Sequence, residues 1–382
     1  MAQWNRVPLI DYIELIGGGT PKTTVPEYWN GNIPWLSVKD FNNDKRYVYS
    51  TEKHISQSGF ENSPTKMLHK DDIIISARGT VGEIAMIPFD MAFNQSCYGI
   101  RASRGIDKPF LYYLLKNCIS QLKRMTHGSV FDTITRDTFA NIEVDIPDAE
   151  TQKRISSVLA DIDNKIEVND AINDNLQQQA ATLFKALFVD HAPFDRTMPP
   201  NWTISTLGDV TEMGAGGDKP KESSPVKTPL CPYPIYSNGI NDYGLYGYTN
   251  EPKIKVESVT VSARGTIGYV CLRHIPYVPI VRLVTLIPDT KVLSAKYLYL
   301  YLRQLHITGT GTTQQQLTVP DFRKTEIAIP DKNTMDAFTE TVTPLFEQIW
   351  ANEDENTKLA EVRDALLPKL MSGEIDVSAV QL

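Results

Sequence analysis

Two long stretches of this chain carry apolar residues at alternating steps of four and three positions, and asparagines interrupt both stretches in the same register. The first stripe runs through Ile155, Leu159, Ile162, Ile166, Asn169, Asn173, Leu176, Ala180, Leu183 and Leu187. The second begins 183 positions later and runs through Phe338, Val342, Leu345, Ile349, Asn352, Asn356, Leu359, Arg363, Leu366 and Leu370. This spacing is typical of the seam of a helix that packs along another helix. Because the polar interruption recurs in register, we predict that the two helices pair with each other.

The residues that precede each stripe also repeat. ISARGTVGEI at 75–84 recurs as VSARGTIGYV at 261–270, and FLYYLLKNC at 110–118 recurs as YLYLYLRQL at 297–305. The order is therefore globular region, helix, globular region, helix. A whole globular region separates the two helices, so the economical arrangement is an antiparallel pair related by a pseudo-twofold axis.

We predict an α+β fold with two similar mixed α/β domains, separated by two long antiparallel coiled-coil helices in a pseudo-twofold internal repeat. The first domain is expected at 1–147 and the first helix at 148–192. The second domain is expected at 193–330 and the second helix at 331–382.

Local patterns predict several shorter elements. DYIELI (11–16) is expected to form a short helix, WLSVKDF (35–41) alternates like a strand, and DIIISA (72–77) is typical of a buried strand. Proline lacks the amide donor that a helix interior needs. Pro344 is therefore expected to start or kink the second long helix, and Pro368 to end its regular part.

The net charge of −8 is concentrated in the helical regions. Residues 148–190 carry −4 and residues 331–382 carry −7, whereas residues 1–147 are neutral and residues 191–330 carry +3. The globular regions are thus compatible with a DNA-binding face. Acidic residues on the helices are expected to dock a partner protein, since DNA would repel them, or simply to face water. They are Asp161, Asp163, Glu167, Asp170, Glu347, Glu353, Asp354 and Glu355.

The sequence lacks the usual motifs of catalysis, metal binding and membrane insertion. It contains no NPPY or DPPY tetrad of methyltransferases, no P-loop, no HExxH and no GxSxG. Cys97, Cys118, Cys231 and Cys271 have no metal-site spacing, so reduced and mostly buried thiols in a cytoplasmic protein are expected. No apolar run approaches the roughly 18 residues that span a bilayer, and the N-terminal residues lack the apolar core of a signal peptide.

Taken together, these motifs resemble the specificity (S) subunits of Type I restriction–modification enzymes. The paired SARGT(V/I)G turns carry the resemblance, with a Gly-Ser or Gly-Thr loop and an IP-terminated strand before each long helix. The spacing of Trp4 and Leu9 also recurs in Trp202 and Leu207. The segment RDALLPKLMSGEIDV at 363–377 is especially typical of sequences of this family. The resemblance covers nearly the whole chain.

The resemblance implies that different subunits carry recognition and catalysis. Each globular domain would be a target-recognition domain, similar to those of DNA adenine methyltransferases, and would read one half of a split, asymmetric DNA sequence. The paired helices would set the gap between the halves and dock two modification (M) subunits, which restriction (R) subunits then join. S-adenosylmethionine, ATP and Mg are expected on those partners, with no cofactor, metal or catalytic residue on this chain.

Residues that read DNA are expected in the loops that differ between the domains. In the first domain the candidates are Lys22, Thr23, Thr24, Lys123, Arg124, His127, Ser129 and Arg136. In the second domain they are Lys219, Lys221, Thr312, Thr313, Gln314, Gln315 and Gln316. Glutamine pairs with the major-groove edge of adenine, and arginine or lysine with that of guanine. The alternative for each residue is an ordinary solvated loop.

Arg78 and Arg264 occupy the same position in the two repeated turns. The functional interpretation is a DNA-phosphate contact. The alternative is an arginine buried against a carboxylate that braces the turn. Because the motif is identical in both domains, it cannot by itself discriminate two targets. Tyr243, Tyr246 and Tyr248 are expected either to line the binding groove or to pack in the domain.

The resulting hypothesis is a non-catalytic DNA-recognition subunit that directs adenine methylation and ATP-dependent cleavage by its partners. One alternative is an autonomous two-headed DNA-binding regulator, which would bind a defined site without other subunits. Another is a scaffold whose two domains grip polypeptide or glycan, and whose affinity would show little of the salt dependence of DNA binding.

Overall fold

The computed structural model describes residues 4–126, 133–309, 316–378 and 380. The chain divides into two compact units. Unit 1 comprises residues 1–171 and 352–382, and unit 2 comprises residues 172–351. Each unit therefore contains one globular domain together with parts of both long helices.

Unit 1 is built from short strands and helices that lead into the first long helix. Its strands are β1 (Asn5–Pro8), β2 (Ile13–Gly17), β3 (Trp29–Leu36), β4 (Lys53–Ile55), β5 (Met67–Leu68), β6 (Ile73–Ser76), β7 (Ile84–Met86), β8 (Met91–Phe93), β9 (Cys97–Ala102) and β10 (Glu143–Ile146). Its helices are α1 (Val38–Phe41), α2 (Gln57–Glu61), α3 (Lys108–Thr126), α4 (Arg136–Ala140) and the first part of the long α5 (Ala149–Phe184), with 3-10 turns at Leu9–Tyr12 and Pro26–Tyr28. The strands form sheets in the orders β2-β9-β6-β7, β4-β3-β8-β5 and β1-β10.

Unit 2 repeats this order of elements. Its strands are β11 (Thr203–Thr206), β12 (Thr211–Ala215), β13 (Ser223–Ser224), β14 (Tyr233–Tyr236), β15 (Leu245–Thr249), β16 (Ser258–Val261), β17 (Val270–Arg273), β18 (Val278–Pro279), β19 (Val284–Pro288) and β20 (Glu326–Ile329). Its helices are α6 (Leu207–Val210), α7 (Ala295–Gln304) and α8 (Val319–Phe322), and the second long helix is α9 (Lys332–Met371). A π-helical turn, Lys185–Val189, extends α5, and 3-10 turns lie at Ala192–Phe194 and Asn241–Gly244. The sheets have the orders β12-β19-β16-β17, β13-β15-β14-β18 and β11-β20.

The main sheet of each unit is antiparallel and packs against one helix. In unit 1, β6 is buried along its whole length, and Phe110 and Leu111 of α3 join its side chains in one apolar cluster. In unit 2, Leu298 and Leu300 of α7 join Val259 of β16 in the corresponding cluster. The sequence expectation of two similar mixed domains, each followed by a long helix, is confirmed.

The two long helices run antiparallel within each unit. In unit 1, Asn169 of α5 donates to the Asn356 side-chain oxygen of α9 at 2.9 Å. Earlier residues of α5 lie with later residues of α9, as the shared apolar cluster of Ile155 and Leu370 shows. In unit 2, Asn173 donates to the Ile349 carbonyl oxygen at 3.4 Å. The seam asparagines thus form inter-helix hydrogen bonds, through a side-chain partner in one unit and a backbone partner in the other.

A buried ion pair joins the helices in unit 1. The Arg363 guanidinium of α9 lies 2.9 Å from the Asp163 carboxylate of α5, and both side chains are about 5% exposed or less. Tyr113 of α3 donates to Asp163 at 2.6 Å, and Arg363 also contacts Asp44 at 2.8 Å. Burial alone would raise the pKa of Asp44, but Lys116 and Arg363 outweigh it and lower that pKa. Asp163 was expected on an outer face of the helix, and that expectation is wrong because Arg363 supplies a buried cation.

The residues next to Asp44 fasten the same loop to α5. Lys45 pairs with Asp170 at 3.0 Å, and Arg46 lies 3.3 Å from Glu167. Burial raises the pKa of Glu167, and the nearby Arg46 only partly opposes that rise. These ion pairs of the 44–46 loop add to the apolar contacts by which the first globular domain packs on α5.

Unit 2 has apolar and aromatic residues at the positions equivalent to the buried ion pair of unit 1. With the offset of 183, Arg363 corresponds to Ala180 and Asp163 corresponds to Phe346. Both of these residues belong to the apolar core of unit 2. Phe188, just beyond α5, lies edge-on to Phe338 of α9, with ring centroids 4.9 Å apart. The two domains therefore have similar folds, but the buried ion pair of unit 1 is replaced by apolar residues at the equivalent positions of unit 2.

Two short elements differ from the sequence expectation. The segment expected as the DYIELI helix is a 3-10 turn that passes into β2 at Ile13, where alternate side chains face the core. The segment 35–41 leaves β3 after Leu36 and becomes α1. Ser37 and Asp40 form a capping box there, in which the Ser37 amide donates to the Asp40 carboxylate at 2.7 Å. These local hydrogen bonds end the strand despite its alternating pattern.

Neither proline of α9 marks an end of the helix. The helix begins at Lys332, and the Thr334 amide donates to the Asp331 carboxylate at 3.2 Å, so Pro344 does not start it. Pro344 lies on an exposed face, where water can hydrate a carbonyl that lacks its amide partner. Pro368 does not end the helix, which continues to Met371.

Replacing Arg363 with alanine is expected to destabilise unit 1 by about 3–5 kcal/mol, because the Asp163 carboxylate would stay buried without its cation. Arg6→Ala is the control, since it breaks the exposed Arg6–Glu143 pair in the same unit and is expected to change stability little. Hydrogen exchange of the β6 and β7 amides, measured alongside urea unfolding, checks both variants. Equal effects of the two substitutions would contradict the role assigned to Arg363.

Candidate nucleic-acid interface

In unit 1, loops that contain candidate residues leave the sheet β2-β9-β6-β7 at one end of its strands. Gly17 at the end of β2 pairs with Tyr98 near the start of β9, and Ser76 at the end of β6 pairs with Cys97. Three loops therefore emerge side by side: residues 18–25, 77–83 and 94–96. We call this group of loops the loop edge of unit 1.

The first of these loops is held so that its polar side chains face outward. A Cβ at Gly18 would collide with the Asn94 carbonyl oxygen, so only glycine fits between the two loops. The Trp35 indole donates to the Gly19 carbonyl at 3.1 Å, and the Trp29 indole donates to the Lys22 carbonyl at 3.3 Å. The Lys22, Thr23 and Thr24 side chains are exposed. The backbone is fixed while these side chains remain available.

Arg78 projects from the second loop into solvent. The Ser76 hydroxyl braces this turn from inside by accepting the Glu83 amide at 2.8 Å and donating to the Thr80 carbonyl. Gly82 has a φ of +86° and leaves room for the Lys123 side chain of α3, which lies where a Cβ would be. Arg78 is not the buried arginine of the alternative interpretation.

Arg136 has a structural contact at the same edge. Its guanidinium donates to the Leu15 carbonyl of β2 at 3.2 Å, which fastens α4 to the sheet. The Ile134 amide donates to the Ala77 carbonyl at 3.1 Å and brings the chain back to the turn. His127 and Ser129 lie outside the described residues. The Arg124 backbone belongs to α3, but its side chain is outside the description too.

Unit 2 has an equivalent loop edge, formed by residues 216–222, 262–269 and 280–283. Ala215 at the end of β12 pairs with Val284 at the start of β19, and Val261 at the end of β16 pairs with the same residue. Lys219 and Lys221 are exposed in the first loop. The Lys219 ammonium lies 5.2 Å from the centre of the Tyr246 ring, within cation–π range.

Arg264 occupies the second loop, as Arg78 does in unit 1. It is exposed, and its guanidinium donates to the Gln316 side-chain oxygen at 3.1 Å. The Leu317 amide donates to the Ala263 carbonyl at 3.1 Å, the counterpart of the Ile134 contact in unit 1. The described part of the second domain thus brings Gln316 to Arg264. Thr312, Thr313, Gln314 and Gln315 lie outside the described residues.

Two residues of this edge were missed in the sequence. Asn238 accepts the Ala263 amide at 2.7 Å and donates to the Val281 carbonyl at 2.6 Å, so it joins two loops. Arg282 lines a cavity of about 390 Å³ together with Arg264 and Gln316. The signal for Arg282 was a basic residue two positions before β19, where the sequences of the repeated domains diverge. Asn238 comes from a different sheet, and no spacing in the sequence links it to the turn.

The three tyrosines of the second domain, which were expected either to line the binding groove or to pack in the domain, differ in their exposure. Tyr243 and Tyr246 are 52% and 53% exposed. Tyr248 is half-buried, and its burial raises the pKa of the phenol. Burial likewise raises the pKa of Tyr269, next to the Arg264 turn, to about 12, so this phenol remains neutral at physiological pH. Tyr246 is therefore the exposed aromatic that accompanies a basic residue of the edge.

Both loop edges contain several basic side chains. Lys22, Arg78 and Lys123 make the unit 1 edge basic, and Lys219, Arg264 and Arg282 do the same in unit 2. Within residues 4–126, 133–309 and 316–378, no group of three or more His, Cys, Asp or Glu side chains is placed to hold a metal ion. Among the helices of the described segments, none has the length and apolar character needed to cross a membrane.

The structure thus contains two similar domains, each with a basic loop edge. A family model described as the Type I restriction modification DNA specificity domain matches residues 1–178 and 199–361. The chain belongs to this family of DNA specificity proteins. The resemblance identified in the sequence is therefore confirmed.

Individual relatives agree with this assignment. The chain is 28% identical to the Type I restriction enzyme MjaIX specificity subunit of Methanocaldococcus jannaschii, in an alignment that covers 98% of this chain and 94% of that protein. It is 26% identical to the Type I restriction enzyme HindI specificity subunit of Haemophilus influenzae, over 70% of this chain and 77% of that protein. A crystal structure of the Type-I restriction-modification system S subunit from M. genitalium matches 97% of this chain and 96% of its own, with a TM-score of 0.57 and 16% identity. That structural match shows a shared fold.

Proposed function

We propose that this chain reads a bipartite, asymmetric DNA site with its two domains and directs the enzymes of a Type I restriction–modification complex to it. The observation that supports this most strongly is the pair of equivalent loop edges, each with an arginine in the same SARGT turn and different side chains around it. A shared scaffold with divergent loops suits two related but distinct target sequences. Membership of the DNA specificity family supports the same conclusion.

In this proposal the chemistry belongs to the partner subunits. Two modification subunits would methylate adenine with S-adenosylmethionine, and restriction subunits would cleave DNA with ATP and Mg. This chain would supply recognition without catalysis, in the cytoplasm where its DNA lies. Asp161, Glu347 and Asp354 are exposed on the long helices and are the acidic residues best placed to meet a partner protein. Asp163 is excluded from that role because it is buried against Arg363.

The exposed turn arginines are proposed to contact DNA phosphates, and each outer loop is proposed to contact bases. Arginine and lysine at the loop edges provide the charge for the first role. The two alternative functions, an autonomous regulator and a polypeptide or glycan scaffold, are not favoured by the family assignment.

Arg78→Ala and Arg264→Ala are each expected to weaken DNA binding similarly across sequences, because a phosphate contact contains no base information. Each should lower the slope of log affinity against log salt by about 0.9. The assay is fluorescence anisotropy of the complex with its modification subunit, at several salt concentrations. Arg6→Ala, which removes an exposed charge at the β1–β10 pair, is the control. If the wild-type complex itself shows a salt slope near zero, the DNA-binding proposal fails.

Exchange of residues 1–147 for the first domain of another family member is expected to alter one half-site and leave the other intact. The physical reason is that each loop edge is built within its own unit. Adenine-methylation mapping in a cell that expresses the chimera with its modification subunit measures both half-sites and the gap. A change in both half-sites would be incompatible with two independent readers.

The Asn169→Leu, Asn352→Leu double variant is expected to retain helical content but to bind sites with more than one gap length. Both asparagines are buried at the seam, and leucine would remove polar contacts that fix the register of the helices. The same mapping measures the gap, and circular dichroism checks that the helices persist. A single unchanged gap would remove these asparagines from the spacing role.

A further inference from the structure

The cavity at the unit 2 loop edge combines cationic groups with apolar walls. Arg264, Arg282 and Gln316 line it, together with Leu317, Val319 and other small or apolar residues. Arg264 and Gln316 are hydrogen-bonded to each other at 3.1 Å, so their positions are mutually fixed. Within the described residues, Arg282 forms no side-chain hydrogen bond or ion pair, and its side chain is exposed, so the guanidinium is accessible to a ligand.

The backbone at Val281 and Arg282 has an unusual conformation. Val281 and Arg282 have φ values of +54° and +65°, a region that residues with a Cβ rarely adopt, and β-branched valine least of all. The turn is held by hydrogen bonds from the Val281 amide to the Gly217 carbonyl at 2.8 Å and from the Arg282 amide to the Gly216 carbonyl at 3.0 Å. Asn238 also donates to the Val281 carbonyl. Strain that several neighbours maintain is typical of a functional site.

Unit 1 has no arginine at this position. The registers of β9 and β19 make Ser96 the counterpart of Arg282, because Tyr98 and Val284 pair with the equivalent residues Gly17 and Ala215. In unit 1 the Ala77 amide donates to the Ser96 carbonyl at 2.8 Å. In unit 2 the corresponding Ala263 amide donates to Asn238 instead. Unit 1 has an equivalent of Arg264, namely Arg78. It has no arginine equivalent to Arg282.

We propose that Arg282 is a specificity-determining residue of the second domain that recognises a guanine through the O6 and N7 atoms of its major-groove edge. This inference rests on the proposed function and adds a named base to it. A guanidinium donates two parallel hydrogen bonds to those atoms, which is the commonest base-specific contact in DNA recognition. A phosphate contact would be useful in both domains, but this arginine occurs in one. Arg264 then lies beside the base reader and is suited to the neighbouring phosphate.

The test is adenine-methylation mapping on a randomised plasmid library, with the full chain assembled with its modification subunit. Arg282→Ala is expected to leave the first half-site unchanged and to remove the preference for guanine at one position of the second, a loss of about 5- to 150-fold in discrimination. Arg282→Lys keeps the charge without the planar fork and should recover the preference only in part. Arg282→Gly accepts the positive φ and controls for backbone strain.

Lys255→Ala is the matched control, since Lys255 is exposed and precedes β16 at the opposite edge of the sheet. It should preserve every base preference. A uniform loss of methylation in Arg282→Ala, restored by Arg282→Lys, would make Arg282 a phosphate contact and overturn the inference. A wild-type second half-site without guanine, or unchanged preferences in all Arg282 variants, would also overturn it. If the wild-type complex selects no bipartite site at all, the proposed function itself fails.

Discussion

A helix with an apolar seam is stable only when that seam is buried, and in this chain each long helix buries its seam against the other. Unit 1 contains the first part of α5 and the last part of α9, whereas unit 2 contains the remainder of both. The antiparallel course follows from these pairings, and each globular domain packs onto the helical segments of its own unit. Polar residues at the seam add hydrogen bonds whose partners lie at fixed positions, which an apolar seam alone would not provide.

In each loop edge, the residues that hold the loops in place are different from the residues that vary between the two domains. Gly18 of unit 1 and Gly216 of unit 2 lie where a Cβ would collide with the backbone of a neighbouring loop. The internal serine of each SARGT turn accepts an amide from the far side of the turn, at 2.8 Å for Ser76 and 3.0 Å for Ser262. These contacts use small residues and backbone atoms, so the outward side chains can differ without disturbing them.

The long-range organisation was predictable from the sequence because it depends on periodicity. The heptad stripes, the repeated SARGT turns and the buried β6 strand each follow from side-chain spacing alone. The wrong predictions were local ones: the alternation at 35–41 hid the capping box of Ser37 and Asp40, and Pro368 lies within α9 and does not end it. Asp163 was placed outside because its buried cation is 200 positions away in the sequence.

The candidate interface was predictable to the level of loops and less so to the level of side chains. Lys22, Lys219 and Arg264 are exposed at the loop edges as expected, and Arg136 is there too but bonds to the Leu15 carbonyl. Arg282 and Asn238 escaped prediction for different reasons. Arg282 depends on a left-handed turn that its sequence does not favour, and Asn238 reaches the turn from another sheet.

Unit 1 is formed by two separate segments of the sequence, and this affects the order in which the two units can be completed during synthesis. Residues 172–351 form unit 2 without interruption, so all of its contacts can form before the last part of the chain leaves the ribosome. Unit 1 requires Asn352 and the residues after it, and Arg363 meets its partners Asp44 and Asp163 across 319 and 200 positions. Contacts of such sequence separation form late. The domain synthesised first therefore cannot be completed until these residues have been made, and until then the Asp163 carboxylate lacks its guanidinium partner.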